Sequence, residues 1–190
     1  MTIKRPLGVL ITLASTIALL TACAPASSDS AAEGGTQLSL AGFAVPKAGN
    51  NAAQTAFAKT DDGKGVTWKE SYGASGDQSR AVVGGLPADY VHFSVTPDVT
   101  RLVDAGLVDK SWNAGPDKGI VTDSVVVLVV REGNPKSIKG WDDLARKDVG
   151  IATPNPGSSG AARWNILGAW QNIIATGGSE ADAKDFLGKV

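Results

Sequence analysis

The sequence predicts an α/β fold built on a parallel sheet, and three observations carry that reading. Strand-like and helix-like segments alternate from Gln37 onward, the pattern of β-α-β units with right-handed crossovers. Ser124–Val130 (SVVVLVV) is apolar after its first residue, as a strand buried on both faces must be. Loops rich in Ser, Gly and Ala, at Tyr72–Ser79 and Asn155–Ala161, each follow a strand and open a helix. In open α/β sheets such crevices hold ligands.

Ahead of the first strand lies a segment of another kind. Lys4 and Arg5 precede a mostly apolar run from Leu7 to Leu20, followed by Thr21-Ala22-Cys23. Residues 1–22 read as a secretory signal, too short and wrongly flanked for a spanning helix. The small residues before Cys23 look like a bacterial lipobox, in which Cys23 is acylated and becomes the first residue of the mature chain. The alternative is an ordinary cleavage site with an incidental cysteine. Cys23 is the only cysteine, so an intrachain disulfide is excluded. Several acyl chains on it would give a stable membrane anchor where one would not. Residues 23–37, with Ala-Pro-Ala-Ser-Ser-Asp-Ser-Ala-Ala-Glu-Gly-Gly after the cysteine, have little to bury and read as a flexible tether.

The folded part then runs in order. Gln37–Ala44 is a strand, Asn50–Lys59 an alanine-rich helix capped by Asn50 or Asn51, and Val66–Tyr72 a second strand. A helix starts at Ser75 and ends early at Gly84-Gly85. Asp89–Val95 is a third strand, and Pro97–Ala105 a helix with proline in its first turn. After the strand Ser124–Val130 come a short helix around Trp141–Arg146, a strand at Val149–Thr153, a helix at Ser159–Ala175 and a last helical stretch at Glu180–Lys189. The chain stops at Val190 on that helix, without a closing strand, which suggests a truncated product.

Composition narrows the function. The formal charge of the chain is −1, and losing Lys4 and Arg5 with the signal makes it more acidic. Without a basic cluster, nucleic acid is not an expected partner. His92 is the only histidine and sits within a strand, so it reads as a packed or edge-strand residue rather than a metal ligand or general base. The sequence lacks both phosphate-loop and dinucleotide-loop glycine patterns. Gly73-Ala-Ser-Gly76 lacks the last glycine of a nucleophile elbow, because Asp77 stands there. Asp142 and Asp143 are neighbours in a helix and face different directions. The expectation is therefore no catalytic residue, no metal and no cofactor.

What remains is an anion seat at Thr153-Pro-Asn-Pro-Gly-Ser-Ser-Gly-Ala-Ala-Arg-Trp164. Pro154 and Pro156 end the strand, Gly157 frees the turn, and Ser158 or Ser159 caps the helix. Its first turn aims unpaired N–H groups at whatever sits in front, and small residues allow close approach of an oxyanion.

At these residues the chain resembles a known family, the periplasmic sulfate- and thiosulfate-binding proteins of bacterial ABC importers. The likeness rests on Ser71-Tyr-Gly-Ala-Ser-Gly-Asp-Gln78, Gly85-Leu-Pro-Ala-Asp89, Leu128-Val-Val-Arg-Glu-Gly-Asn-Pro135, Trp141-Asp-Asp-Leu144 and Thr153-Pro-Asn-Pro with Ser159-Gly-Ala-Ala-Arg-Trp-Asn165. The resemblance implies a two-lobed periplasmic-binding-protein-like (type II) fold, with lobe I in residues 38–125 and part of lobe II in 126–190. It also implies an incomplete fold, because the C-terminal part of the family's chain is missing. The family binds fully dehydrated sulfate with uncharged donors. By position these would be the Ser75 hydroxyl, the backbone N–H groups of Ser159, Gly160 and Ala161, and one at or beside Ala44. The family usually has glycine where this chain has Ala161, and an N–H survives that change. Its remaining donors, a tryptophan indole among them, lie in the part absent here, and Trp164 and Trp170 read as core instead.

The resulting expectation is a lipid-anchored, non-enzymatic solute-binding protein at the outer face of the cytoplasmic membrane. It would hand sulfate or thiosulfate to an ABC importer permease. Rival readings are an inactive or regulatory fragment of such a protein and, more distantly, a hydrolase using Ser75 as nucleophile.

Overall fold

The parallel sheet forms with three strands, β1 (Gln37–Phe43), β2 (Thr67–Gly73) and β3 (Tyr90–His92), in the order β2-β1-β3. The structure is a computed structural model that describes residues 35–190, so the expected signal at residues 1–22, Cys23 and most of the expected tether lie outside the described residues. β1 pairs in parallel on both sides, with Leu40 opposite Glu70 of β2 and Tyr90 of β3. That central position explains its composition, since Leu40, Ala41 and Gly42 are all buried. β2, at the edge, starts with exposed Thr67 and Lys69 alternating with half-buried Trp68 and Glu70.

Helices make the crossovers. α1 (Lys47–Phe57) joins β1 to β2, α2 (Ser75–Val83) joins β2 to β3, and α3 (Thr96–Asp104) follows β3. α2 turns Ser75, Gly76, Ser79 and Val82 inward, a spacing that keeps one helical face on the core. There Val82, Ala41 and Leu102 form the buried cluster, closed by Leu86, Val91, Phe93 and Val108. Full burial of Leu102 alone contributes roughly 1.5–3 kcal/mol. α2 ends at the expected glycines, with Gly84 as cap and Gly85 at φ +103°.

α1 begins three residues earlier than expected. Pro46 precedes it and its carbonyl accepts from the Asn50 N–H at 2.8 Å. Asn50 is not a cap because its side chain is engaged elsewhere, donating to the Tyr72 hydroxyl at 3.1 Å and meeting His92 Nδ1 at 3.0 Å.

After α3 the regular elements among the described residues are all helical, joined by long irregular stretches. A single 3-10 turn (Trp141–Ala145) precedes α4 (Gly160–Ala175) and α5 (Glu180–Leu187), which pack together with Ala169, Ala183 and Phe186 buried. α5 opens on a capping box in which Ser179 and Asp182 exchange hydrogen bonds.

Two expected strands do not form. Residues 124–130 and 149–153 carry no ladder, and Val125, Val127 and Val129 are 80%, 66% and 90% exposed. A strand needs a neighbour to take its N–H and C=O groups, and none of the described segments lies beside these two in register. Val126 and Val149 are half-buried, Val126 with its Cβ against Gly168 of α4 beside the Trp141 ring. The run at 124–130 is apolar as a buried strand is, but among the described residues it has no partner strand.

Candidate functional site

Three helix starts converge at the carboxyl end of the sheet. Ser75 opens α2 directly after β2, preceded by extended Ala74, so its side chain enters the core rather than solvent. It is 2% exposed. Its hydroxyl donates to Asp98 Oδ2 at 2.7 Å and accepts from the Ser94 N–H at 3.0 Å. Ser94 lies in the bend between β3 and α3, Asp98 sits in the first turn of α3, and both face the start of α4.

The α4 loop folds largely as a self-bonded turn. Asn155 Oδ1 accepts from the Gly157 N–H at 2.7 Å, and the Asn155 carbonyl accepts from the N–H groups of Ser158 and Ser159 at 3.2 and 2.8 Å. Ser159, extended at φ −105° and ψ 121°, is the cap, and its hydroxyl accepts from the Ala162 N–H. Arg163 Nε donates back to the Pro156 carbonyl at 2.9 Å, and Asn165 Nδ2 donates to Thr153 Oγ1 at 2.9 Å. These bonds hold the loop to the helix it opens.

Contacts between the two loops are close because small residues permit them. The Gly76 N–H donates to the Ser158 carbonyl at 2.9 Å, and a Cβ on Gly76 would stand 2.8 Å from that oxygen. A Cβ on Gly160 would meet the Ser94 hydroxyl and lie 3.2 Å from both Ser94 Cβ and Val95 Cγ1. The Ser94 hydroxyl is itself buried and unpartnered among the described residues. Trp164 is half exposed rather than core, and its indole N–H donates to the Ser94 carbonyl at 2.8 Å. An indole N–H that finds an acceptor at the surface has no need to be buried.

Asp98 organises the charge here, and sequence reading missed it. It is 0% exposed. Its backbone carbonyl accepts from Ser79 Oγ at 2.6 Å, and Arg101 Nη1 reaches Oδ1 at 3.1 Å. Arg163 Nη1 lies 3.9 Å from the same oxygen. One carboxylate between two guanidiniums leaves a net positive charge behind the helix starts. In sequence Asp98 looks like any first-turn acid, favoured there by the helix dipole. Only its burial sets it apart.

The expected donors are therefore in different states. The Gly160 and Ala161 N–H groups, in the first turn of α4, have no acceptor among the described residues. The Ser159 N–H is taken by Asn155, the Ser75 hydroxyl by Asp98, and the Ala44 N–H by the Gly73 carbonyl at 3.0 Å. Ser75 and the α4 start are brought together through Ser94. Ala44 lies exposed at the end of β1.

His92 stands apart from this site. It is buried on the edge strand β3, edge-on to Phe43 with ring centroids 5.4 Å apart. Burial pushes its imidazole below the ordinary value. Glu70, beneath α1, is raised by burial but lowered more by hydrogen bonds from Gln54, Lys47 and Tyr72, and lies below the usual carboxylate range. Among the described residues, no cluster of His, Cys, Asp and Glu is placed to hold a metal, and no helix is long and apolar enough to cross a membrane.

The chain resembles known proteins in sequence and in fold. The family described as bacterial extracellular solute-binding protein matches residues 39–187. A sulfate-binding protein of Synechococcus elongatus is 41% identical over 180 residues, covering 90% of this chain and 51% of its own length. A thiosulfate-binding protein of Pseudomonas aeruginosa is 39% identical over 142 residues, covering 74% of this chain and 43% of its own length. The solved structure of the sulfate-binding protein SubI from Mycobacterium tuberculosis superposes with a TM-score of 0.78 at 48% identity, over 81% of this chain and 54% of that one. The chain thus spans about half the length of the curated relatives it matches. Its relatives are binding proteins rather than enzymes, and with the match running from β1 through α5 the chain belongs to the bacterial extracellular solute-binding protein family.

Proposed function

We propose that this protein captures sulfate or thiosulfate outside the cytoplasm and delivers it to an ABC importer permease. The observation that carries the reading is the meeting of Ser75 with the open first turn of α4, where Gly160 and Ala161 present unpaired N–H groups. On binding, the Ser75 hydroxyl turns from Asp98 to the anion, and Arg101 keeps Asp98 paired. Ser159 and Ala44 join only by exchanging their present carbonyl acceptors for the anion.

Sulfate suits such a shell because it carries no proton at neutral pH. Hydrogen phosphate would set its O–H against a donor, an unpaired buried contact costing about 1–3 kcal/mol. The names of the sulfate- and thiosulfate-binding relatives support the same ligand class. In this reading residues 38–125 supply lobe I, residues 126–190 supply part of lobe II, and acylated Cys23 anchors the protein to the membrane.

Calorimetric titration of the purified chain tests it. Sulfate should bind saturably and phosphate at least tenfold more weakly. Ser75→Ala should weaken sulfate roughly 10- to 100-fold, the worth of one hydrogen bond to a charged group at about 1.5–3 kcal/mol. Equal heats for sulfate and phosphate, or unchanged affinity in Ser75→Ala, would sink the assignment.

A further inference from the structure

We propose that Ser94 is a further ligand-binding residue, its hydroxyl donating to the oxyanion held at the first turn of α4. The assignment rests on the reading of that turn as a sulfate seat, and adds a donor that neither the sequence motifs nor the family resemblance names.

Ser94 Oγ is buried and has no partner among the described residues, although nearly every buried polar side-chain atom in a folded protein finds one. The rest of the residue is committed. Its N–H donates to Ser75 Oγ at 3.0 Å and its carbonyl accepts from Trp164 Nε1 at 2.8 Å. These two bonds fix the backbone and leave only the hydroxyl free to meet a ligand.

The hydroxyl fills the space in which Gly160 would carry a Cβ. It therefore lies against the residue whose N–H, with that of Ala161, opens α4 without an acceptor. Two hydroxyls, of Ser75 and Ser94, and two backbone N–H groups gather around one helix start.

A cluster of donors suits a ligand that only accepts. A neutral ligand with its own O–H would set donor against donor, and Asp98 between Arg101 and Arg163 leaves positive charge behind the cluster, which favours an anion at the helix start. Gln78 Oε1, another buried side-chain atom without a partner among the described residues, is an acceptor beside Gly73 and has the wrong polarity for this task. Ser75 is enclosed as Ser94 Oγ is, at 2% exposure. The anion reaches both by one movement, in which the α4 start eases away from the bend between β3 and α3.

Ser94→Ala isolates the hydroxyl, because alanine keeps the N–H to Ser75 and the carbonyl to Trp164. Sulfate is titrated calorimetrically into the purified chain and into the Ser94→Ala and Ser75→Ala variants, and urea midpoints are measured for each with and without sulfate. Ser94→Ala should weaken sulfate by about 10- to 100-fold, the worth of one hydrogen bond to a charged group. Its midpoint without sulfate should stay level or rise, since an unpartnered hydroxyl takes no bond with it, while the upward shift on adding sulfate should shrink with the affinity. Unchanged sulfate affinity in Ser94→Ala overturns the inference, and a loss in Ser75→Ala alone would leave the sulfate seat standing without this donor. A sulfate-free midpoint that falls in Ser94→Ala also overturns it, because the hydroxyl would then be bonded within the chain. A chain that binds no sulfate overturns the seat and this donor together.

Discussion

Gly160 shows how much of the site depends on an absent side chain. Ser94 and Val95 occupy the space where its Cβ would be, so the start of α4 lies against the end of β3 only with glycine there. Gly160→Ala should cost about 1–3 kcal/mol through overpacking, and displace Ser94 from Ser75. Gly150→Ala is the control, since nothing lies within 4 Å of a Cβ at that position. Urea unfolding should show a lower midpoint for the first variant and little change for the second; equal midpoints would mean the approach is looser than described. At this scale the sequence was partly legible. Ser75 and Ser159 were visible as small hydroxyl residues at helix starts. Ser94 and Asp98 were not, because a lone Ser and a first-turn Asp have no local pattern that reveals burial.

The helices divide into those that build the site and those that only pack. α4 is capped by Ser159 and α5 by Ser179, and each cap contributes about 0.5–2 kcal/mol. Ser159→Ala and Ser179→Ala should therefore lower stability by similar amounts in a thermal melt. Only Ser159→Ala should also weaken sulfate in calorimetry, because it frays the turn that presents the Gly160 and Ala161 N–H groups. Matching losses of affinity in both variants would remove α4 from its assigned role. Element type was read well from periodicity and punctuation: the three strands of the sheet and the helices α2 to α5 lie where Gly, Pro and Ser place them. The failures at 124–130 and 149–153 share one cause. β-character is a property of a pair, and an apolar run states only that it must be covered, not what covers it.

Acid sensitivity belongs to the whole molecule, because it reflects how folding changes proton affinity. His92 is buried with its imidazole pushed below the ordinary value. The unfolded chain therefore binds a proton there more readily than the folded one. Its stabilising effect is complete above the unfolded value near 6.5 and declines as pH falls through it. Glu70, held below the carboxylate range by Gln54, Lys47 and Tyr72, acts in the same direction at lower pH, its contribution lost as it protonates. Urea midpoints should fall from pH 7.5 to pH 5.5, and His92→Gln should flatten that segment of the curve. A midpoint rising on acidification would contradict the assignment.

Local sequence determined the α/β class, most of the element boundaries and the two serine-rich helix starts, because helix periods, caps and glycine stops act over a few residues. The motif spacing also carried the family resemblance. Tertiary structure decided what happens between distant segments. It set the burial of Asp98 among Ser75, Arg101 and Arg163, placed Ser94 between α2 and α4, and moved Trp164 from core to surface clamp. It also left the valine run without a ladder. Each of these depends on which segments meet in space, and the free energy of a buried charge or a strand edge is fixed by its neighbours rather than by its place in the chain.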